Sequence, residues 1–289
     1  MDGQIIKSQR AKVLVQALPY IQKYWNRVVV IKYGGHAMES EELKRQVMED
    51  IVLLQLVGVK VVLVHGGGPE INDLLSKLGV KSEFVNGLRV TDEETAQIVQ
   101  MVLAGKVGKS LVNLIESTGG KAMGICGIDG KLIEAKSKSP ALGYVGDITR
   151  VNVGPINDLL EKGYIPVVSS LGCDDEGKVY NINADTMAAH ISGAMGAECL
   201  ISMTDIAGIM EDPDDPVSLV PYADINDAVE LFRRGVIKGG MIPKVESCIE
   251  ALLCGVKKVF ILDGRVPHSI LLEMLTDEGS GTMMVGEKK

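Results

Sequence analysis

Val61–Val62–Leu63–Val64–His65–Gly66–Gly67–Gly68–Pro69 runs a wholly apolar segment into three glycines, and Val28–Val29–Val30–Ile31–Lys32–Tyr33–Gly34–Gly35 does the same with two. A β-branched run of this kind predicts a strand buried on both faces, as in the middle of a parallel sheet. Glycines at its carboxyl end let the backbone approach a ligand and aim N–H groups at it. Pro69 stands where a helix begins, at its preferred first position. Ile71, Leu74, Leu75 and Leu78 follow at helical spacing, and Gly79 supplies the stop. Strand, glycines and helix N-terminus make an anion site, and Lys32 at the neighbouring strand end adds a full positive charge. Glycines of this kind also serve simply as tight βα turns. Two such turns, one with a lysine, favour phosphate chemistry.

The 289 residues suit one large α/β domain or two closely joined lobes. With 46% hydrophobic and 24% charged residues, a substantial core is available. The formal charge of −8 argues against binding a nucleic-acid backbone. Cys126, Cys173, Cys199, Cys248 and Cys254 are scattered and form no C-x-x-C pair, so neither a zinc site nor a disulfide framework is expected. His36, His65, His190 and His268 show no metal spacing, and Asp212, Asp214 and Asp215 match no calcium loop. The polar start Met1–Arg10 does not read as a signal peptide, and no unbroken apolar stretch reaches eighteen residues. A reducing, cytoplasmic setting away from membranes is the expectation.

Residues 7–25 predict an amphipathic helix with Ala11, Leu14, Val15 and Leu18 on one face, kinked at Pro19. Placed before the sheet, its stripe has no obvious core to join and suits another subunit. From Val28 onward strands alternate with helices, the pattern of a doubly wound sheet. Thr91 with Glu94 reads as a capping box opening a helix toward Ile115. Residues 119–151 read as hairpins or an inserted β-flap. A second set begins near Asn181, with a helix from Asp185 to Met195, strands at Leu200–Met203 and Val259–Leu262, and a last helix over 267–275. A lobe boundary near 180–186, with no low-complexity linker, predicts one continuous sheet.

Gly105–Lys106–Val107–Gly108–Lys109–Ser110 is not a P-loop, because the position five before Gly108 is Leu103 and the run lies inside a helical period. Asn181–Ile182–Asn183–Ala184–Asp185 opens a helix; its polar groups either cap free N–H groups or reach a ligand. Gly239–Gly240–Met241–Ile242–Pro243–Lys244 again sets glycines beside a lysine, with Lys238 adjacent; solvated lysines flanking a loop are the plainer alternative. Arg89, in Asn86–Gly87–Leu88–Arg89–Val90–Thr91, is either a bidentate partner for a carboxylate or a surface residue.

Taken in this order, the five segments around Lys32, Gly67, Arg89, Asn183 and Lys244 resemble the amino-acid kinase family, and within it the branch that phosphorylates N-acetyl-L-glutamate. The resemblance covers nearly the whole chain. It implies a three-layer αβα sandwich around a mostly parallel sheet, with the leading helix as an extension. It implies phosphoryl transfer from ATP, with Mg²⁺, to the acceptor's side-chain carboxylate, an early step of arginine synthesis. Carried over, Lys32 and Lys244 flank the transferring group and Asp185 holds both lysines. Gly35, Gly67 and Gly68 donate N–H groups, and Arg89 with Asn181 or Asn183 holds the acetylated amino acid. Gly34, Asp205, Gly208, Lys238 and Gly240 match the nucleotide side. Residues 27–182 would then be the acceptor and dimerisation lobe, and 183–289 the nucleotide lobe. A carboxylate nucleophile with a pKa of roughly 4 needs no general base, so no catalytic histidine is expected.

Members with an amino-terminal extension resemble the arginine-inhibited type, in which residues like 1–26 interlock three dimers into a hexamer. Arginine then binds between that helix and the carboxyl-terminal segment. The matching positions here are Tyr20, His268, Glu278 and Gly279. Some relatives also bind a PII-type signalling protein. Gly108 departs from the family's usual asparagine.

Overall fold

In the computed structural model, residues 12–34, 40–212 and 215–286 are described. The chain enters through α1 (Leu18–Tyr24) and β1 (Val28–Tyr33), then α2 (Glu41–Leu56), β2 (Lys60–His65) and α3 (Gly68–Lys77). A small hairpin, β3 (Phe84–Val85) and β4 (Leu88–Arg89), precedes α4 (Glu93–Gln100). That helix continues through a π-helical stretch, Met101–Val107, into α5 (Gly108–Ser117). Next come β5 (Ala122–Cys126), β6 (Ile133–Ser137), β7 (Gly146–Val151), α6 (Gly154–Glu161), β8 (Ile165–Ser169), β9 (Leu171–Cys173) and β10 (Val179–Asn181). The second half holds α7 (Ala184–Ala194), β11 (Cys199–Thr204), β12 (Tyr222–Asp224), α8 (Ile225–Arg233), α9 (Met241–Leu253), β13 (Lys258–Asp263), α10 (Ser269–Leu275) and β14 (Gly281–Val285).

Eight strands form one sheet in the order β12–β14–β13–β11–β1–β2–β8–β5. Six run parallel; β14 is antiparallel to β13, and β12 runs with β14. β1 lies at the centre between β2 and β11, with Lys32 opposite Val64 and Ser202. Its Val29, Val30 and Ile31 are fully buried, each worth about 1.5–3 kcal/mol of transfer free energy. Alternate residues feed two cores. Val29, Ile31, Val61 and Leu63 face the side covered by α2, α3, α4, α5 and α10, whereas Val30, Val62 and Val64 face α6, α7, α8 and α9. The two cores with the sheet between them make three layers.

Four details correct the sequence reading. The helix beginning at Glu93 is capped by Asp92, whose side chain accepts from Thr95 N, not by Thr91. Thr91 is extended and buried, because its backbone pairs with Leu142 and Tyr144. Of residues 119–151, β6 and β7 do form a hairpin in a four-stranded second sheet, but β5 belongs to the main sheet beside β8. Around Pro19 the helix is interrupted rather than kinked: residues 12–16 are helical, Ala17 is a turn, and α1 restarts with the proline in its first turn. Strands β12 and β14 had no sequence counterpart. The continuous helix Glu93–Ser117 is long and apolar enough to cross a membrane by length and composition. Here Ile98, Val99, Val102, Leu103, Val107, Leu111 and Ile115 fill the core.

Candidate active site

The carboxyl ends of β1, β2 and β11 meet the N-termini of α3, α7 and α9 along one edge of the sheet, where open α/β sheets bind ligands. Lys32 sits one residue before the end of β1, its side chain only 13% exposed, and its Nζ lies 2.9 Å from Asp185 Oδ1 in the first turn of α7. A Cβ on Gly34 would stand 3.7 Å from Lys32 Nζ and 3.8 Å from Gly66 N, inside the cradle these groups form. Gly67 is the N-cap of α3 and brings no capping side chain, so free N–H groups are left at that terminus.

Lys32, Gly34, Gly66, Gly67, Gly68, Arg89, Asn181, Asn183 and Asp185 all line one cavity of about 230 Å³. Arg89 is buried and donates to the neutral oxygens of Ser82 and Asn72, both at 2.7 Å. Its guanidinium stacks 4.7 Å from the Phe84 ring. Among the described residues no carboxylate pairs with it, and burial pushes its pKa down. A cation held by neutral partners against a pocket keeps its charge available to an anion. The Asn183 side chain caps α7, accepting from Asp185 N and Thr186 N. Asn181 instead donates weakly, at 3.4 Å, to the Thr91 hydroxyl. Gly35 lies outside the described residues.

Asn183 and Asp185 also line an adjoining cleft of about 390 Å³, whose other wall carries Gly240, Pro243 and Lys244. Gly240 and Lys244 line in turn a cavity of about 500 Å³ with Asp205, Gly208, Lys238 and Arg265. Shared walls make these three spaces one trough. Lys244, in the first turns of α9, donates to the Asp205 carboxylate just past β11. The two lysines therefore have separate acids here, Asp185 for Lys32 and Asp205 for Lys244, where the sequence reading gave both to Asp185. Gly208 has φ +146°, and a Cβ there would meet Thr282 Oγ1 at 2.5 Å. Arg265 was missed. It pairs through Nε and Nη2 with Asp263 at 2.9 and 2.8 Å, and the signal was available, since Asp263–Gly264–Arg265 follows a strand at the ligand edge.

The four residues assigned to an effector lie elsewhere, around α10. Tyr20 of α1 donates to Asp277 in the tail, and Glu278 and Gly279 are exposed beside it. His268 Nδ1 lies 2.6 Å from Asp50 Oδ1 on α2. Burial pushes the Asp50 carboxyl up to about 6, the His268 hydrogen bond opposing. A raised carboxyl pKa means the folded chain binds that proton more tightly than the unfolded one. Stability from this group therefore falls as pH rises between 3.8, its ordinary value, and about 6, and is flat above. Asp50→Asn is expected to remove that slope, read as the unfolding midpoint from pH 4 to 7; an unchanged slope would contradict it.

Residues 27–263 match the model of the Amino acid kinase family. The chain belongs to that family. Acetylglutamate kinase of Brachyspira hyodysenteriae is 55% identical over 96% of this chain and 98% of the relative. Acetylglutamate kinase of Clostridium beijerinckii is 54% identical over 96% and 98%. Among solved structures, N-acetylglutamate synthase from Neisseria gonorrhoeae, complexed with coenzyme A and N-acetyl-glutamate, superposes with a TM-score of 0.84 at 25% identity. It covers 96% of this kinase, which spans 64% of the synthase chain. Carbamate kinase from Giardia lamblia shares the fold, with a TM-score of 0.65 at 14% identity, 91% of this chain and 99% of that one.

Proposed function

We propose that this amino acid kinase transfers the γ-phosphoryl group of ATP to the side-chain carboxylate of N-acetyl-L-glutamate, in arginine biosynthesis, forming N-acetylglutamyl 5-phosphate. The observation that carries this reading is the trough: a small cationic pocket and a larger nucleotide-sized one, adjoining at Asp185, Gly240 and Lys244. Two helix N-termini with Lys32 and Arg89 suit an acceptor bearing two carboxylates. The relatives at 54–55% identity carry the name of this activity, and the Neisseria synthase that superposes on this chain is complexed with N-acetyl-glutamate.

In this reading Arg89 and an asparagine amide orient the acceptor in the smaller pocket. Its carboxylate is already ionised, so no residue need take a proton. His65 is unsuited to that task, being fully buried and held by burial at a pKa of about 4. Lys32, Lys244 and the Gly67 and Gly68 N–H groups neutralise charge on the phosphoryl oxygens, which is most of what phosphoryl transfer asks of a protein. The nucleotide fits the 500 Å³ cavity, where Lys238, Lys244 and Arg265 supply cations and Gly240 leaves room. No cluster of three or more potential metal ligands occurs among the described residues. In this reading Mg²⁺ would enter on the nucleotide phosphates rather than in an all-protein cage. ADP release measured with N-acetylglutamate, glutamate, aspartate, carbamate and UMP as acceptors tests the assignment; turnover of another acceptor in preference would refute it.

Residues 27–182 act in this proposal as the acceptor lobe and 183–289 as the nucleotide lobe. The leading helix, with arginine as inhibitor, forms a second part. Val13, Leu14, Val15 and Trp25 are each more than 60% exposed, apolar surface suited to another copy of the chain, and the Tyr20–Asp277 bond ties this segment to the tail. Deleting residues 1–25 is expected to yield dimers insensitive to arginine where the full chain forms hexamers. Persisting hexamers, or persisting inhibition, would refute it.

A further inference from the structure

His65 ends β2, fully buried, immediately before the glycine loop of the acceptor pocket. Its Nδ1 is 2.8 Å from the Gly66 carbonyl oxygen and its Nε2 is 2.9 Å from the Ser169 hydroxyl. A carbonyl only accepts, so Nδ1 carries the proton and donates to Gly66, and Nε2 of the neutral ring accepts from Ser169. The single Ser169 hydroxyl proton faces two acceptors, His65 Nε2 and the Leu103 carbonyl 3.1 Å away in the π-helical stretch, and is shared between them. Such stretches displace carbonyls from the regular ladder and recur near functional sites. Gly108 leaves the space: a Cβ there would stand 3.0 Å from Ser169 Oγ and 3.3 Å from His65 Nε2. A line of polar contacts thus runs from the π-helix, through Ser169 and His65, to one peptide of the loop.

In a trans peptide unit the C=O and the following N–H point in opposite directions. With the Gly66 carbonyl drawn toward His65 in the core, the Gly67 N–H is turned the other way, toward the pocket that Gly66, Gly67 and Gly68 line. We propose that His65 is a positioning residue, which fixes the Gly66–Gly67 peptide so that its N–H is aimed at the anion in the acceptor pocket. This rests on the kinase reading above. Glycines alone leave such a peptide free to rotate. A donor already aimed needs no reorganisation when charge develops, so the contribution falls on kcat rather than on ATP binding.

Two variants separate positioning from packing. His65→Asn places an amide NH₂ where Nδ1 stands and keeps the bond to Gly66; His65→Gln reaches toward Ser169 and gives up Gly66. The expected result is kcat within about threefold of wild type for His65→Asn. For His65→Gln a loss of about 10–100-fold is expected, with KM for ATP unchanged. Equal losses in both, or a change confined to KM, would overturn the proposal. The amide resonance of Gly67, followed in ligand-free protein labelled with ¹⁵N-glycine, is expected to move in His65→Gln and to stay in His65→Asn. If the wild type does not phosphorylate N-acetyl-L-glutamate, the acceptor reading falls alone. A Gly67 resonance unmoved in His65→Gln overturns the role of His65 whatever the acceptor is.

Discussion

Lys32→Ala is expected to lower kcat by about 10²–10³-fold, the loss seen when one preorganised charge donor is removed from a water-poor site. The side chain is mostly buried at the end of the central strand, so its charge acts through a medium that screens less than water. Truncation leaves the β1 ladder to Val64 and Ser202 intact, since those partners bond to the backbone. It also strands Asp185, 28% exposed at a helix N-terminus, where the free N–H groups still stabilise a carboxylate. Folding should therefore survive and activity should not. Single-turnover rates beside an unfolding midpoint would separate the two, and a near-wild-type kcat would remove Lys32 from the mechanism.

Lys244→Ala should cost as much and also raise KM for ATP. Lys244 donates to Asp205, and both line the cavity assigned to the nucleotide. Without the lysine, the Asp205 carboxylate faces a polyphosphate with one cation fewer beside it. Lys244→Ala with Asp205→Asn is therefore expected to recover part of the KM defect but none of the kcat defect, because the neutral amide relieves repulsion and supplies no positive charge. Recovery of kcat in the double variant would show that Lys244 serves only to neutralise Asp205.

The difference between these two lysines shows how far a one-dimensional reading reaches. Lys32 and the glycines at 34 and 66–68 announced themselves because strand, loop and helix start are contiguous, and hydrophobic period with glycine placement is a local signal. Lys244 was found the same way, from glycines beside a helix start. In this structure its acid partner is Asp205 where the sequence reading named Asp185; both follow plausible ligand-edge positions, and the packing of α9 against α7 and β13 sets which one it meets. Thr91 and Asp92 pose the same problem at smaller scale. Both are good caps, and the choice was made by Thr91 pairing with Leu142 and Tyr144, some fifty residues away.

Composition and periodicity alone determined that this chain folds as alternating strands and helices around buried strands that end in glycines, because burying β-branched runs on two faces leaves few other arrangements. Tertiary structure decided which charges meet. The Lys244–Asp205 pair, the antiparallel β14 inserted between β13 and β12, and the line from Leu103 through Ser169 to His65 all join distant segments. Such pairings carry no local signal. Each depends on loop closures whose entropic cost is met by the whole core, and so they appear only once the core has formed.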